Sequence, residues 1–492
     1  MLVIVPHNIE VKDTALLYIT GGDNNIDDDG HVDPTSQEAL LLSNIAVNNK
    51  MVTASLWQIP NQPIEFRDDP QPAARKEDGI IALTWWHYLN DPVPDAEYLL
   101  RLPMTKGAVK AMDTITSFLT DENAPEEIHA LNLNPVKYFV AGASKRGWTT
   151  WTTAAVDPRV IGALPIVMDE LNFVENIKHH YMSYGGWSFA LEDYWVLNLT
   201  TQFTNPKMQD MCNIVDAFEH RDKMLMPKYV VNAANDEFFL PTDTRYFWEQ
   251  MPNYEDLNRF ILLPNTEHSM ITGLLGNSHV LKLINESMFT EILPTVNAWM
   301  AQILAADQMR TRMKFGDGVL KPYETIEERN VATMEMMEFS NIPKFSWDID
   351  PDNGDITVSS EEQPLAVNVW HASTCTPQRR DWRIVNLDEP CECGFAVPGE
   401  DLCANLGALW ASDPLQETEP GSKTWVAHFR PRTDGRYRAF YVSLSFNSTS
   451  TSSYEWPLGH EGVMDFTTTV SVVPNDFPFP DCFGEECMGK LL

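Results

Sequence analysis

Positive charge is scarce in this chain. Across 492 residues, 35 Lys and Arg stand against 70 Asp and Glu, a formal net charge of −35. Such a surface repels phosphate, which excludes general nucleic-acid binding and disfavours docking on anionic membranes. Long apolar runs are missing too. The longest, residues 160–168, is broken by a proline and falls well short of the roughly 18 residues a spanning helix needs, so no membrane insertion is expected. Cysteine is nearly absent from the first three quarters, where only Cys212 occurs. There is no Cys-x-x-Cys pair with matched His spacing, which argues against a zinc site. The acidic stretch 23–33 contains Asp27, Asp28 and Asp29 but lacks the alternating ligands and closing Glu of a calcium loop, and reads as a solvated turn. No metal and no cofactor is expected, and no internal repeat is evident.

What is present argues for a folded protein of two or more domains: 43% hydrophobic residues and 15 Trp. Cys375, Cys391, Cys393, Cys403, Cys482 and Cys487 all fall after residue 370. An even number confined to one region reads as a disulfide framework of an extracellular domain. A bond between Cys391 and Cys393 would close a strained ring, so each is expected to reach a different partner, leaving Cys212 as a buried thiol. Sequons begin at Asn198, Asn285 and Asn447. The first six residues lack the basic region and length of a signal peptide.

The most informative stretch is residues 137–155. It predicts a short apolar strand, a tight Gly142-Ala143-Ser144 corner and a helix from about Lys145. A serine so placed has a helix N-terminus behind it, with free N–H groups and positive potential where an oxyanion would form. This is the nucleophile-elbow arrangement of α/β-hydrolases. The usual glycine two residues after the serine is replaced by Arg146, with glycine at Gly147. An ordinary strand–helix turn with a capping serine would read the same way.

Two further loops complete a triad. A predicted strand at 229–232 is followed by Asp236, and one beginning at 259 is followed by His268. The order Ser144, Asp236, His268 is that of α/β-hydrolases, and each residue lies beyond the C-terminal end of a strand, where open α/β sheets place their sites. Asp169, after a strand at 160–168, is a rival for the acid. The oxyanion would be held by the Lys145 N–H and by one from Asn61 or Gln62, in the loop after the third predicted strand. The Lys145 and Arg146 side chains read as structural ion-pair partners.

Residues 171–225 form an aromatic-rich insertion, expected to be a helical cap over an apolar pocket. Tyr184 and Trp187 are candidates for substrate contact. Glu192 and Asp193 are candidates for holding a substrate ammonium, with a solvated helix face as the plainer reading. The domain plan expected is an α/β-hydrolase domain over 1–310, a transition over 311–344, a β-sandwich of immunoglobulin-like type over 345–475, and a Cys-containing tail over 476–492.

Several segments resemble the PhoPQ-activated pathogenicity-related proteins, a family that includes secreted autocrine proliferation repressors. They are the runs 14–22, 59–63, 102–107, 142–148, 167–172, 184–188 and 235–239, of which the Ser144-Lys145-Arg146-Gly147-Trp148 block is the most specific. The resemblance runs from about residue 3 to about 475. It implies an α/β-hydrolase domain with an appended β domain, export from the cell, growth-inhibitory signalling and a dipeptidyl-peptidase-like activity. It also implies that family sequences carry residues before this N-terminus, so the first strand of the sheet is expected to be missing. The reading is a secreted serine hydrolase acting on a peptide or small ester; the alternative is a non-catalytic secreted ligand of a cell-surface receptor that keeps the hydrolase fold.

Overall fold

The structure is a computed structural model and describes residues 1–24, 36–269, 279–316, 321–387, 391, 393–397, 402–448 and 462–492, with the side chains of 279–291 excepted. Asp27, Asp28 and Asp29, like the Asn285 sequon's side chain, lie outside what is described.

Seven strands form the central sheet: β1 (Leu2–Ile4), β2 (Val11–Ile19), β3 (Met51–Leu56), β4 (Lys137–Ala143), β5 (Val160–Ile166), β6 (Tyr229–Ala233) and β7 (Arg259–Leu263). Their order is β1-β3-β2-β4-β5-β6-β7. Only β1 runs antiparallel, against β3; the other pairs are parallel. The strands are largely buried, with Tyr229–Ala233 and the edge strand Arg259–Leu263 showing no exposed residue. That is expected of parallel strands covered on both faces. One face carries α2 (Glu77–Asn90), α3 (Arg101–Thr120) and α4 (Lys145–Val156); the other carries α1 (Gln37–Asn49) and the long α7 (His279–Phe315). A strand order that reverses around β2–β4 with helices on both faces is the α/β-hydrolase architecture.

Between β5 and β6 the chain leaves the sheet as the cap, with α5 (Phe173–Tyr184) and α6 (Pro206–Val215) joined by short 3-10 turns. Past α7, the transition contains a helix that the sequence reading omitted, α8 (Ile326–Met337), capped by Thr325 Oγ1 accepting from Glu328 N.

Among the described residues the C-terminal region holds three antiparallel sheets: a small one, in which Val385–Asn386 and Phe395–Ala396 pair with Cys403–Ala404, and two larger ones. One comprises β8 (Phe345–Ile349), β9 (Ile356–Ser360) and β12 (Thr424–Ala427). The other comprises β10 (Ala366–Ser373), β11 (Ala411–Pro414), β13 (Arg438–Asn447), β14 (Val463–Thr467) and β15 (Ser471–Val473). Val358, Trp425, Val442, Leu444 and Phe466 share one core between them, the interdigitation of a sandwich. The sandwich covers β7, the open edge of the central sheet. Leu262 N donates to Thr467 Oγ1 at 3.0 Å and Tyr441 Oη donates to Leu262 O at 3.0 Å. An edge strand so covered is closed to pairing with another chain.

The cysteines pair as Cys375–Cys393, Cys391–Cys403 and Cys482–Cys487, and Cys212 is a buried thiol. Cys391 and Cys393 do take different partners. No helix among the described residues is long and apolar enough to cross a membrane.

Candidate active site

Ser144 sits between β4 and α4 at φ 57°, in the left-handed region that a non-glycine residue rarely occupies. Ser144 N donates to Ile166 O at 2.8 Å, which pins the corner to the neighbouring strand β5. Two glycines make the turn sterically open. A Cβ at Gly142 would lie 2.7 Å from Arg146 O, and one at Gly147 would lie 2.7 Å from Met168 Cβ and 2.9 Å from Ile166 O. The close approach usually served by a glycine two residues after the serine is therefore served by Gly147, one position later. The strained corner thrusts Ser144 out at the sheet's C-terminal edge.

His268 arrives on the loop after β7. Its Nε2 lies 2.8 Å from Ser144 Oγ, and its Nδ1 lies 2.8 Å from Asp236 Oδ2 and 3.0 Å from Asp236 Oδ1. Asp236 also accepts from Phe238 N and Phe239 N at 2.7 and 3.1 Å. The imidazole packs against the Phe238 and Phe239 rings at 4.4 and 5.5 Å between centroids. Burial lowers the His268 pKa, but the Asp236 charge and hydrogen bond outweigh it and raise the imidazole above its ordinary value.

Asp169 is not part of this line. Its Oδ2 accepts from Thr244 Oγ1, and burial pushes its carboxyl up to about 7.

The C-terminal region holds both loops of the triad. Asn235, beside Asp236, donates from Nδ2 to Trp382 O at 2.5 Å and Ala408 O at 3.2 Å. Asn265, three residues before His268, exchanges two hydrogen bonds with the Trp410 backbone at 3.0 and 2.7 Å. The sequence offered no sign of these contacts.

Behind Ser144 the helix start is tied by charge. Arg146 forks onto Glu77 at 2.7 and 2.8 Å, and Lys145 Nζ reaches Glu77 and Asp78 at 2.9 and 2.8 Å. Burial raises Glu77, yet the Arg146 hydrogen bond and the Lys145 charge prevail and bring it to about 2. Both basic side chains are thus engaged in ion pairs.

The loop holding Asn61 and Gln62 touches the start of α4, where Arg146 Nε donates to Ile59 O at 2.5 Å, but it does not leave the strand next to the nucleophile strand. It follows β3, and β2 stands between β3 and the nucleophile strand. Asn61 is exposed and bonds Asn24, while Gln62 is clasped to Gly22 O and to Glu77. The loop beside the elbow is Thr20-Gly21-Gly22, which leaves β2 just past the Ile19–Gly142 pair. Gly21 lies against Arg146, where a Cβ would meet Nη2 at 2.7 Å.

Ser144 opens onto a cavity of about 550 Å3, its mouth included, walled by Trp85, Trp148, Phe173, Tyr194, Phe203 and Phe238. The cap does form one wall, through Phe173, Tyr194 and Phe203. The four substrate-contact candidates read from the sequence do not line it. Trp187 is fully buried, stacked on His180, with its Nε1 donating to Cys487 O. Tyr184 lies under the Arg383 guanidinium. Glu192 is exposed, and Asp193 faces Gly79. Helical spacing could not tell which face of the cap turns inward.

The family model for PhoPQ-activated pathogenicity-related protein matches residues 1–321. The chain is 30% identical over 488 residues to the autocrine proliferation repressor protein A of Dictyostelium discoideum, covering 98% of this chain and 81% of that protein. Among solved structures it is similar to Est1E from Butyrivibrio proteoclasticus, at 13% identity and a TM-score of 0.31, over 59% of this chain and 91% of that one. It is also similar to an acetyl xylan esterase from Paenibacillus sp. R4, at 13% identity and a TM-score of 0.36, over 57% and 77%. A puromycin-hydrolysing peptidase of Mycobacterium tuberculosis matches at 12% identity and a TM-score of 0.36, over 60% and 35%.

Proposed function

The chain belongs to the PhoPQ-activated pathogenicity-related protein family, and on that premise we propose that it is a serine hydrolase of small ester or amide substrates. One observation carries the reading: His268 stands within hydrogen-bond distance of both Ser144 Oγ and the Asp236 carboxylate. In the reaction, His268 Nε2 takes the Ser144 proton as Oγ attacks the acyl carbon. Asp236 holds the proton of Nδ1 and stabilises the imidazolium, which then protonates the leaving group. The acyl-enzyme is hydrolysed by water activated by the same histidine.

The oxyanion is held by the Lys145 N–H at the start of α4 and by a backbone N–H of the Gly21–Gly22 loop, in place of Asn61 or Gln62. Such donors are typically worth roughly 3–4 kcal/mol of barrier each. The finer reading, a dipeptidyl-peptidase-like peptidase, rests on the family resemblance alone, since neither Glu192 nor Asp193 lines the cavity.

Export is proposed on the three disulfides, which persist in oxidising compartments. A growth-repressing role through a receptor is the second reading, favoured by the name of the Dictyostelium relative. Labelling with a fluorophosphonate probe separates the two. Wild-type protein is expected to label and Ser144→Ala to stay unlabelled; a wild-type protein that does not label sinks the hydrolase reading and leaves the ligand reading.

A further inference from the structure

The wall of the Ser144 cavity contains polar groups that the triad does not use. Arg101 is 3% exposed, Trp85 1% and Thr200 1%. All three line the cavity. Arg101 Nε, Trp85 Nε1 and Thr200 Oγ1 are buried without a hydrogen-bond partner among the described residues. Buried polar groups are nearly always paired, so three orphans around one cavity call for an explanation. All three can donate, and two can only donate.

The charges point the same way. Glu77 and Asp78 are matched by Lys145 and Arg146. Asp78 is further engaged by the Tyr194 hydroxyl at 3.0 Å. Arg101 feels Asp78 and Glu170 at longer range but makes no direct ion pair among the described residues. Its guanidinium lies 4.0 Å above the Trp148 ring and gives one hydrogen bond, from Nη1 to Lys145 O at 3.0 Å. The remaining carboxyl on the cavity wall is Glu170. Burial and the nearby Asp216, only partly offset by Arg101, push it up to about 8. That shift weakens Glu170 as a counter-ion for Arg101.

We propose that this part of the cavity wall is a recognition site for a carboxylate carried by the substrate, with Arg101 as its counter-ion and Trp85 and Thr200 as further donors. The proposal rests on the hydrolase reading, because it places that carboxylate on the part of the substrate that enters the cavity when Ser144 attacks. A carboxylate satisfies several donors at once and supplies the missing negative charge. An ammonium group would meet one surplus cation and a set of donors, which repel it or leave it unpaired.

The test uses the full chain and three 4-nitrophenyl esters of equal acyl length: hexanoate, the adipate monoester and 6-(trimethylammonio)hexanoate. The adipate monoester is expected to exceed hexanoate in kcat/KM by about tenfold or more, the usual worth of a charge-assisted bond, and the ammonium ester to fall below both. Arg101→Gln should abolish the preference. Because Arg101 also holds the start of α4, that variant could fail to fold. Trp85→Phe keeps one aromatic ring but loses the pyrrole ring with its N–H; the lost volume acts on both esters alike, so the adipate-to-hexanoate ratio should fall by about fivefold from the lost donor. Glu170→Gln keeps a donor without a charge and should preserve the ratio. Equal turnover of the three esters, or fastest turnover of the ammonium ester, overturns the carboxylate site while leaving the hydrolase standing. No turnover together with no fluorophosphonate labelling overturns both.

Discussion

Glu237 Oε2 accepts the backbone N–H of His268 at 3.0 Å, so the residue next to the triad acid also fixes the loop that carries the triad base. Two adjacent residues thus hold His268 at different points: Asp236 at the ring and Glu237 at the main chain. Glu237 is buried, and burial together with the Asp236 charge pushes its carboxyl up to about 7. Glu237→Ala should lower kcat by about 10- to 100-fold, because the imidazole loses its fixed distance to Ser144. Glu237→Gln retains an acceptor and should stay within about threefold of wild type. Steady-state kinetics on a 4-nitrophenyl ester would show it, and equal losses in both variants would mean that the charge matters rather than the bond.

The pH profile follows from the imidazole. In the proposed mechanism neutral His268 is the base, and its pKa is held above the ordinary 6.5 mainly by Asp236 working against burial. The acid limb of kcat/KM should therefore have its midpoint above pH 6.5. In Asp236→Asn the burial effect remains while the raising charge is gone. The midpoint should move down, and kcat should drop by about three to four orders of magnitude. A midpoint unmoved by the substitution would assign the titration to another group.

Asp169 offers a control with the opposite signature. It bonds Thr244 and not His268, so Asp169→Asn should cost little turnover, within about tenfold. Its effect belongs to stability. A carboxyl raised to about 7 in the fold from an ordinary 3.8 binds its proton more tightly when folded. That contribution is complete below about pH 4 and is lost as pH rises toward 7. Denaturant melts of wild type and Asp169→Asn should diverge in the variant's favour by about 1.4 kcal/mol per pH unit across that window, then run parallel above it. Parallel curves from pH 4 upward would refute the buried-proton account.

The arrangement of Ser144, Asp236 and His268 was legible because each follows an apolar run that ends in a polar loop, a pattern local to the sequence. The loop proposed for the oxyanion was not. Counting strands along the chain points to the loop after β3, whereas the strand beside β4 in space is β2, and the exchange of β2 and β3 in the sheet leaves no local trace. The cap was legible as an insertion, but its inward face was not. Phe173 and Phe203 line the cavity while Trp187, equally aromatic, is spent on the tail. Asn235 and Asn265 read as ordinary loop asparagines. Their partners Trp382, Ala408 and Trp410 are more than a hundred residues away, and such pairings are set by tertiary packing alone.

Those two asparagines make the C-terminal region part of the site's support. Asn265→Ala removes both bonds to the Trp410 backbone and frees the loop before His268. It should reduce kcat by about tenfold with KM little changed, and lower stability by about 1–3 kcal/mol, the cost of buried backbone groups left unpaired. Kinetics and melting on the same preparation would separate the two effects. A stability loss without a kcat loss would confine the contact to packing.

The tail is bonded to the cap. Cys487 O and Met488 O accept from the indole N–H groups of Trp187 and Trp195 at 2.8 Å each, Trp187 N donates to Lys490 O at 2.8 Å, and Leu492 N donates back to Trp187 O at 2.9 Å. The chain's last residues thus lie as a strap along the cap, whose Phe173 and Phe203 wall the cavity. Phe203 packs directly on Trp187 at 5.4 Å. The Cys482–Cys487 bond closes the loop that presents Cys487 O and Met488 O. Replacing both cysteines with serine should therefore loosen the strap, lowering stability by about 2 kcal/mol and raising KM several-fold as the aromatic wall loses its backing. Trp187→Phe, which keeps a ring but loses the N–H, should reproduce part of this, about 1 kcal/mol. Thermal melts and ester kinetics of the two variants would decide it: a lower melting temperature with unchanged KM would make the strap a stabilising element of the fold with no hold on the site.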